Sequence, residues 1–159
     1  MPLRIRVTVC NINGIGIYVS FRGIGIAWIT TGLTDMTEDE KLRLMHAFAE
    51  AWNAHDIVAI MSCMTDDCVF EASAGPDVCG ARSVGREEVR AAFSEVFAAF
   101  PDAQWRDARH FSSGDRGVSE WTLTGTRNDG TKIEVNGCDL LTFRDGKIAV
   151  KNSYRKNRP

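Results

Sequence analysis

No stretch of the chain is long and apolar enough to suggest a membrane span. The most apolar region lies in the first 35 residues, and Arg22 and several glycines interrupt it, whereas a spanning helix needs about 20 mostly apolar residues. The same region makes a poor secretory signal, because Asn11, Asn13 and Arg22 break the apolar run and no small-residue cleavage site follows. An excess of one charge is also missing. A formal net charge of -2 over 159 residues gives no electrostatic basis for nucleic acid or an anionic membrane. The cluster Lys151, Arg155, Lys156 and Arg158 reads as solvated surface or a local anion contact. The five cysteines, Cys10, Cys63, Cys68, Cys79 and Cys138, are odd in number and show no C-x-x-C spacing. That argues against a disulfide framework or zinc knuckle and for a reducing, cytoplasmic compartment. His46, His55 and His110 have no ligand spacing either, so neither metal nor cofactor is expected.

What remains suits one ordinary core, with 44% hydrophobic and 25% charged residues. Residues 1–35 stand apart. Asn13-Gly14-Ile15-Gly16-Ile17 is nearly echoed by Arg22-Gly23-Ile24-Gly25-Ile26, suggesting two short strands that form a hairpin. These residues are expected to lie outside a core domain of residues 36–159, with Met36 as its natural start. Thr37-x-x-Glu40 has the pattern of a capping box, and Leu44, Met45, Phe48 and Trp52 form a helical stripe ending near Asn53. Asp56 can cap a short second helix carrying Ile57, Ile60, Met61 and Met64. A strand over Cys68–Ser73, a Gly/Pro loop to Gly85, and a third helix from Arg86 to Phe100 follow, with Pro101 as its stop. Period-two strands are then expected over 104–112, 118–127, 132–143 and 148–155, joined by Gly-, Asn- and Asp-rich turns. Helices followed by an antiparallel meander make the fold α+β, with helices on one face of a curved sheet.

One residue breaks the apolar phase. Ile133, Val135, Leu141 and Phe143 share a strand face, and Asp139 is in phase with them. A buried carboxylate is paired, protonated or lining a polar cavity. Asp139 is therefore either a proton-handling group or one half of a structural ion pair or subunit contact. Asp145-Gly146 after this strand predicts a hairpin, which lays 148–155 beside it.

The order of helices, together with Thr65-Asp66-Asp67-Cys68-Val69-Phe70-Glu71, Gly85-Arg86-Glu87-Glu88-Val89 and Gly137-Cys138-Asp139-Leu140-Leu141-Thr142-Phe143-Arg144-Asp145-Gly146-Lys147-Ile148, resembles the nuclear transport factor 2-like superfamily. Within it the chain is similar to SnoaL-like polyketide cyclases and ketosteroid isomerases over Met36 to Arg158. The resemblance implies a cone-shaped sheet curled around the first helix, a pocket at one end, and a homodimer formed through the sheet's outer face. It places a pocket acid at Asp139. It also implies an isomerase base where this chain has Ala72, an isomerase tyrosine where it has Phe48, and a cyclase histidine after Gly125-Thr126 where it has Arg127. Those departures make steroid isomerisation by the family's mechanism, or a specific cyclisation, poor expectations.

Setting strand phase from Asp139 and the family's register puts Glu120, Thr122 and Thr124 inward, with Trp121 and Leu123 outward against a partner subunit. Lys151, Ser153 and Arg155 are expected inward on the last strand, and Arg106 and His110 inward on the first meander strand. The expected catalytic set is Asp139, Glu120 and His110. Lys151 and Arg155, with the apolar side chains of Phe48, Trp52 and Phe70, would bind the substrate. Acids sharing a cavity with a lysine suit acid/base chemistry, so cofactor-independent isomerisation, cyclisation or dehydration next to a carbonyl is the expected function. The substrate would be a small hydrophobic or carbonyl-containing molecule. Two alternatives stand beside it: a ligand-binding or dimerisation module without turnover, and water activation for epoxide opening. The alternative for Glu120 with Lys151 is a purely structural cross-strand ion pair.

Overall fold

The computed structural model describes residues 6–9, 17–20 and 36–157, and the chain divides into two compact units, Met1–Asp35 and Met36–Pro159. In the first unit, strand β1 (Arg6–Val9) pairs antiparallel with β2 (Ile17–Ser20), Val7 opposite Val19. The first Gly-Ile copy thus does supply a strand, but its partner is β1. The second copy, residues 22–30, lies outside the described residues.

The second unit opens with α1 (Glu38–Asn53). Its capping box is formed: the Thr37 amide donates to Glu40 Oε2 at 2.8 Å, and the Glu40 amide donates to Thr37 Oγ1 at 3.3 Å. Asp56 Oδ1 accepts from the amides of Val58 and Ala59 and so starts α2 (Ile57–Ser62). Strand β3 (Met64–Glu71) follows at once, beginning four residues before the expected Cys68. Met64, assigned by its apolar character to the helix, is instead the fully buried first residue of the strand. The expected loop contains a short strand, β4 (Arg82–Val84), paired to β3. Helix α3 (Arg86–Ala99) begins at Gly85 and ends just before Phe100-Pro101. The Arg86 guanidinium anchors its start by donating to the carbonyls of Met61 and Met64.

Four long strands complete the chain: β5 (Gln104–Ser113), β6 (Arg116–Thr126), β7 (Lys132–Arg144) and β8 (Lys147–Arg155). The β7–β8 turn has Asp145 at φ 53° and Gly146 at φ 75°, the two positive values a tight hairpin of this hand requires. The six-stranded sheet runs β4-β3-β8-β7-β6-β5, antiparallel except where β3 lies parallel to β8. The sheet is curved and unclosed, an α+β architecture with helices on one face. Met45, Phe48 and Trp52 of α1, Ile60 and Met61 of α2, and Val89 and Phe93 of α3 pack against Phe70, Leu141, Phe143 and Ile148 of the sheet. Among the described residues no helix is long and apolar enough to cross a membrane.

Two strands are phased differently from expectation. On β6, Ser119, Trp121 and Leu123 are buried and Glu120 is exposed. The two-residue alternation therefore turns Trp121 and Leu123 toward the helices, and Glu120, Thr122 and Thr124 outward. The expected register was one residue out, and such a slip reverses every side chain of a strand. On β5 a bulge intervenes: Arg106 faces Thr122 and Arg109 faces Glu120, three steps on one strand against two on the other, with Asp107 at φ 55°. The bulge flips the phase. His110 consequently lies on the inner face as expected, whereas Arg106 is outward and exposed.

Candidate functional site

Directly opposed residues of a ladder share a face, so the pairing of the four long strands fixes the inner surface row by row. His110, Ser119, Asp139 and Ser153 form one row across β5, β6, β7 and β8. Trp121, Gly137 and Arg155 form the next row in one direction, and Gly117, Leu141 and Lys151 the next in the other. Asp139 thus stands at the centre of the inner face, with an apolar helix layer above it.

It is not alone there. Asp139 is 6% exposed and Lys151 5%, and Lys151 Nζ donates to Asp139 Oδ1 at 2.6 Å. The Ser153 hydroxyl donates to the same oxygen at 2.6 Å and accepts from Lys151 Nζ at 2.6 Å. The Trp121 indole Nε1–H donates to Asp139 Oδ2 at 2.9 Å. Three donors converge on one carboxylate, an arrangement that satisfies a buried anion. Lys151 Nζ also lies 5.1 Å from the centroid of the Trp52 ring and 5.2 Å from that of Phe70, close enough for both π faces to attract the ammonium.

Gly137 permits the tryptophan contact. A Cβ built on it would fall 2.2 Å from Cη2 of Trp121 and 2.5 Å from the Tyr154 carbonyl oxygen. The indole therefore lies across a position that has no side chain, and its N–H reaches the next row.

Two spaces adjoin the cluster from the helix side, while a wider cleft of about 990 Å³, lined mostly by outward residues such as Glu120, Thr122 and Tyr154, also reaches Trp121 and Arg155. Of the two on the helix side, one, of about 20 Å³, is lined by Asp139, Ser119 and Lys151 with Met45, Phe48 and Leu141 among the apolar walls; it is about the size of one water molecule. The other is a cleft of about 370 Å³, bordered by Lys151, Ser153 and Arg155 from β8, by Phe70 and by residues of α3. Trp52, Trp105, Trp121 and Lys151 border both, so these four side chains divide the inner cavity from the cleft. A molecule in the cleft meets Lys151 and Ser153 first, with Asp139 behind them.

The other expected residues distribute unevenly. Phe48, Trp52 and Phe70 are core residues that also wall these spaces. Glu120 is not brought to Asp139. It stands opposite Cys138 on the outer face, where burial pushes the Cys138 thiol up and the Asp139 and Glu120 charges add to the effect. The suggested Glu120–Lys151 ion pair is likewise absent, since Lys151 pairs with Asp139. His110 is on the correct face but two strands from Asp139, about 10 Å at the usual strand spacing, with Ser119 between them. Neither of its ring nitrogens has a partner among the described residues, and its ring meets His46 edge-on at 4.5 Å. Burial, and secondarily His46, hold its pKa below the ordinary value. The residue that sequence reasoning missed is Trp121. Its alternation with Leu123 and Ser119 was the available signal, because two large apolar groups in phase belong on the buried face. No three His, Cys, Asp or Glu side chains come together as metal ligands among the described residues.

Comparison with known proteins agrees with this architecture. The family model for the SnoaL-like domain matches residues 45–151. Among solved structures, a candidate polyketide cyclase from Xanthomonas campestris pv. campestris aligns with a TM-score of 0.68 at 21% identity, covering 76% of this chain and 92% of that one. An NTF2-like protein of unknown function from Mesorhizobium loti aligns at 0.63 with 27% identity, covering 77% and 96%. AclR, a candidate hydroxylase from Streptomyces galilaeus, aligns at 0.64 with 21% identity, covering 77% and 83%. No curated protein matches the chain.

Proposed function

From the premise that the chain belongs to the SnoaL-like domain family, a small-molecule enzyme-like fold, we propose that its inner face performs cofactor-independent acid/base chemistry next to a substrate carbonyl. The observation that carries this reading is the buried Asp139–Lys151–Ser153 triangle, two of whose members border a cleft large enough for a small organic molecule. In the proposed step the substrate lies in the cleft with its carbonyl oxygen toward Lys151 Nζ. The carbon α to the carbonyl gives its proton to Ser153 Oγ, while the Ser153 hydroxyl proton passes to Asp139 Oδ1. The C–H electron pair moves into the enolate, whose oxygen the Lys151 ammonium stabilises. In a substrate with a conjugated double bond, returning the proton from Asp139 to the far carbon of the dienolate gives isomerisation; in a β-hydroxy ketone, delivering it to the hydroxyl, which leaves as water, gives dehydration. His110 belongs on this reading to the far end of the polar row, beyond direct reach of the substrate, and Glu120 has no part in it.

The test is deuterium uptake by 2-tetralone in D2O, followed by NMR. The parent protein should accelerate exchange above the buffer rate. Ser153→Ala keeps the Asp139–Lys151 contact and so should fold, yet it should lose about 10²-fold or more of the acceleration. Asp139→Asn should lose it entirely. Exchange at the buffer rate for the parent, or unchanged in Ser153→Ala and Asp139→Asn, would count against turnover. It would favour the second reading, a binding module, which draws support from the full set of donors already closing on Asp139.

A homodimer through the outer sheet face is part of the same proposal, with altered contacts. Trp121 and Leu123 are turned inward, whereas Phe111 and Tyr154 are 55% and 52% exposed. Sedimentation of Phe111→Asp should show a monomer if that face pairs.

A further inference from the structure

We propose that the molecule taken by the cleft is an organic acid, its carboxylate held by Arg155 while its apolar body lies against the tryptophan wall. The proposal deepens the reading of the cleft as a substrate site and rests on it. Arg155 is half-buried, lies on the inner face opposite Gly137, and lines the cleft. Its guanidinium makes no hydrogen bond or ion pair among the described residues. A guanidinium presents five donors in a planar fork and cannot shed its charge. Held partly out of water without a counter-ion, it is unlike every other charge in the site.

The neighbouring charges do not supply that counter-ion. Asp139 is already bonded to Lys151, Ser153 and Trp121. Glu95 borders the cleft from α3, and Asp107 and Glu120 share the wider outer cleft with Arg155, but all three are exposed and none makes an ion pair with Arg155 among the described residues. The buried pair is neutral as a unit, so Arg155 carries the unbalanced charge on the sheet side of the cleft. The rest of the lining is mostly apolar: Trp52, Phe70, Trp105, Trp121, Phe100, Val96. An apolar body with one carboxylate matches that division.

The spacing is consistent with the chemistry proposed above. Arg155 and Ser153 are two residues apart on one strand face, about 7 Å between Cα atoms. An acid anchored at Arg155 therefore has room to extend a second functional group to Ser153 and Lys151. Over Gly137, opposite Arg155, lies the Trp121 ring, which gives the apolar body of such an acid a flat wall beside the guanidinium.

Two probes of one shape separate charge from apolar binding: 2-naphthoate and its neutral methyl ester, titrated into the full chain at pH 7.5 and followed by tryptophan fluorescence and calorimetry. The acid should bind about tenfold tighter than the ester or better, as a charge-assisted hydrogen bond in a partly dry site implies. Arg155→Gln should erase that preference and leave the ester's affinity unchanged, and Arg155→Lys should restore part of it. Equal affinity of the two probes in the parent overturns the proposal. So does an acid preference that survives in Arg155→Gln, or failure of both probes to bind at millimolar concentration. Deuterium exchange is an independent readout. Failure of the acid preference with exchange intact removes only the acid anchor, whereas loss of exchange with the preference intact removes the catalytic reading and leaves a binding site for acids.

Discussion

The inner and outer faces of the β6–β7 ribbon are made by alternate residues of the same two strands, yet they treat a carboxylate in opposite ways. Asp139, on the inner face, is 6% exposed and meets an ammonium, a hydroxyl and an indole N–H. Glu120 stands on the outer face opposite Cys138, the residue before Asp139, and is exposed to solvent. Water solvates Glu120 without help, whereas every donor that water would have supplied to Asp139 must be built into the protein. The comparison shows that the chemical character of an acid here follows from its parity along the strand.

The sharpest way to break the contrast is to remove the inner cation. Lys151→Met leaves Asp139 buried without its ion partner and should cost about 3–5 kcal/mol of stability, read from urea unfolding midpoints. The double change Asp139→Leu with Lys151→Met should recover most of that loss, since a buried pair replaced as a whole by apolar groups is often nearly neutral. If Lys151→Met alone melts like the parent, the pair is not the buried, closed unit described. A smaller loss, about 1–3 kcal/mol, is expected from Gly137→Ala, because the new methyl overlaps the Trp121 ring and the Tyr154 carbonyl. Near-ultraviolet circular dichroism should report the displaced indole; an unchanged spectrum and melting point would contradict the packing.

His110 tests the edge of the inner face through pH. Its pKa is lowered in the folded state by burial first and by His46 second, so between the unfolded and folded values the unfolded chain binds more protons. Stability contributed by the neutral ring is therefore full above about pH 6.5 and falls as pH drops from there toward the lowered folded value. Unfolding midpoints measured from pH 7.5 to 5 should decline more steeply in the parent than in His110→Phe, and parallel curves would remove the effect. The smallest change belongs to the outer face. Glu120→Gln should alter stability by less than about 0.5 kcal/mol and leave tetralone exchange untouched, and a large loss of exchange would return Glu120 to the site.

Much of this is legible in the sequence alone. The Thr37–Glu40 capping box, the Asp56 cap, the stop at Pro101 and the Asp145-Gly146 hairpin are local chemistry, and local chemistry is written residue by residue. The inward phase of Asp139, set by alternation on its own strand, and of Lys151, Ser153 and Arg155, set by the same carried-over register, agrees with the structure because the one irregularity in the β7–β8 pairing falls between Thr142 and Phe143, on the hairpin side of these residues. β6 was misphased because a register carried over from a resemblance displaced the strand's own signal, in which Trp121 and Leu123 alternate with polar neighbours. β5 could not be phased from either end, because the bulge between Arg106 and Arg109 inserts one residue and reverses the count. The early start of β3 was hidden as well, since Met64 is as apolar as a helix residue and only its pairing with Ile148 makes it a strand.

By itself the sequence determined the order and type of the elements in residues 36–157 apart from the short β4, the α+β class and the presence of one acid in an apolar strand face, because propensity, capping and alternation act over a few residues. Only the tertiary structure decided what that acid touches. Lys151 and Ser153 are close to Asp139 because β7 folds back on β8, Trp121 because Gly137 leaves its ring a path, and the cleft exists because α1 and α3 cover the curved sheet. Those contacts join residues as far apart as Trp52 and Lys151, and no local periodicity encodes such a distance.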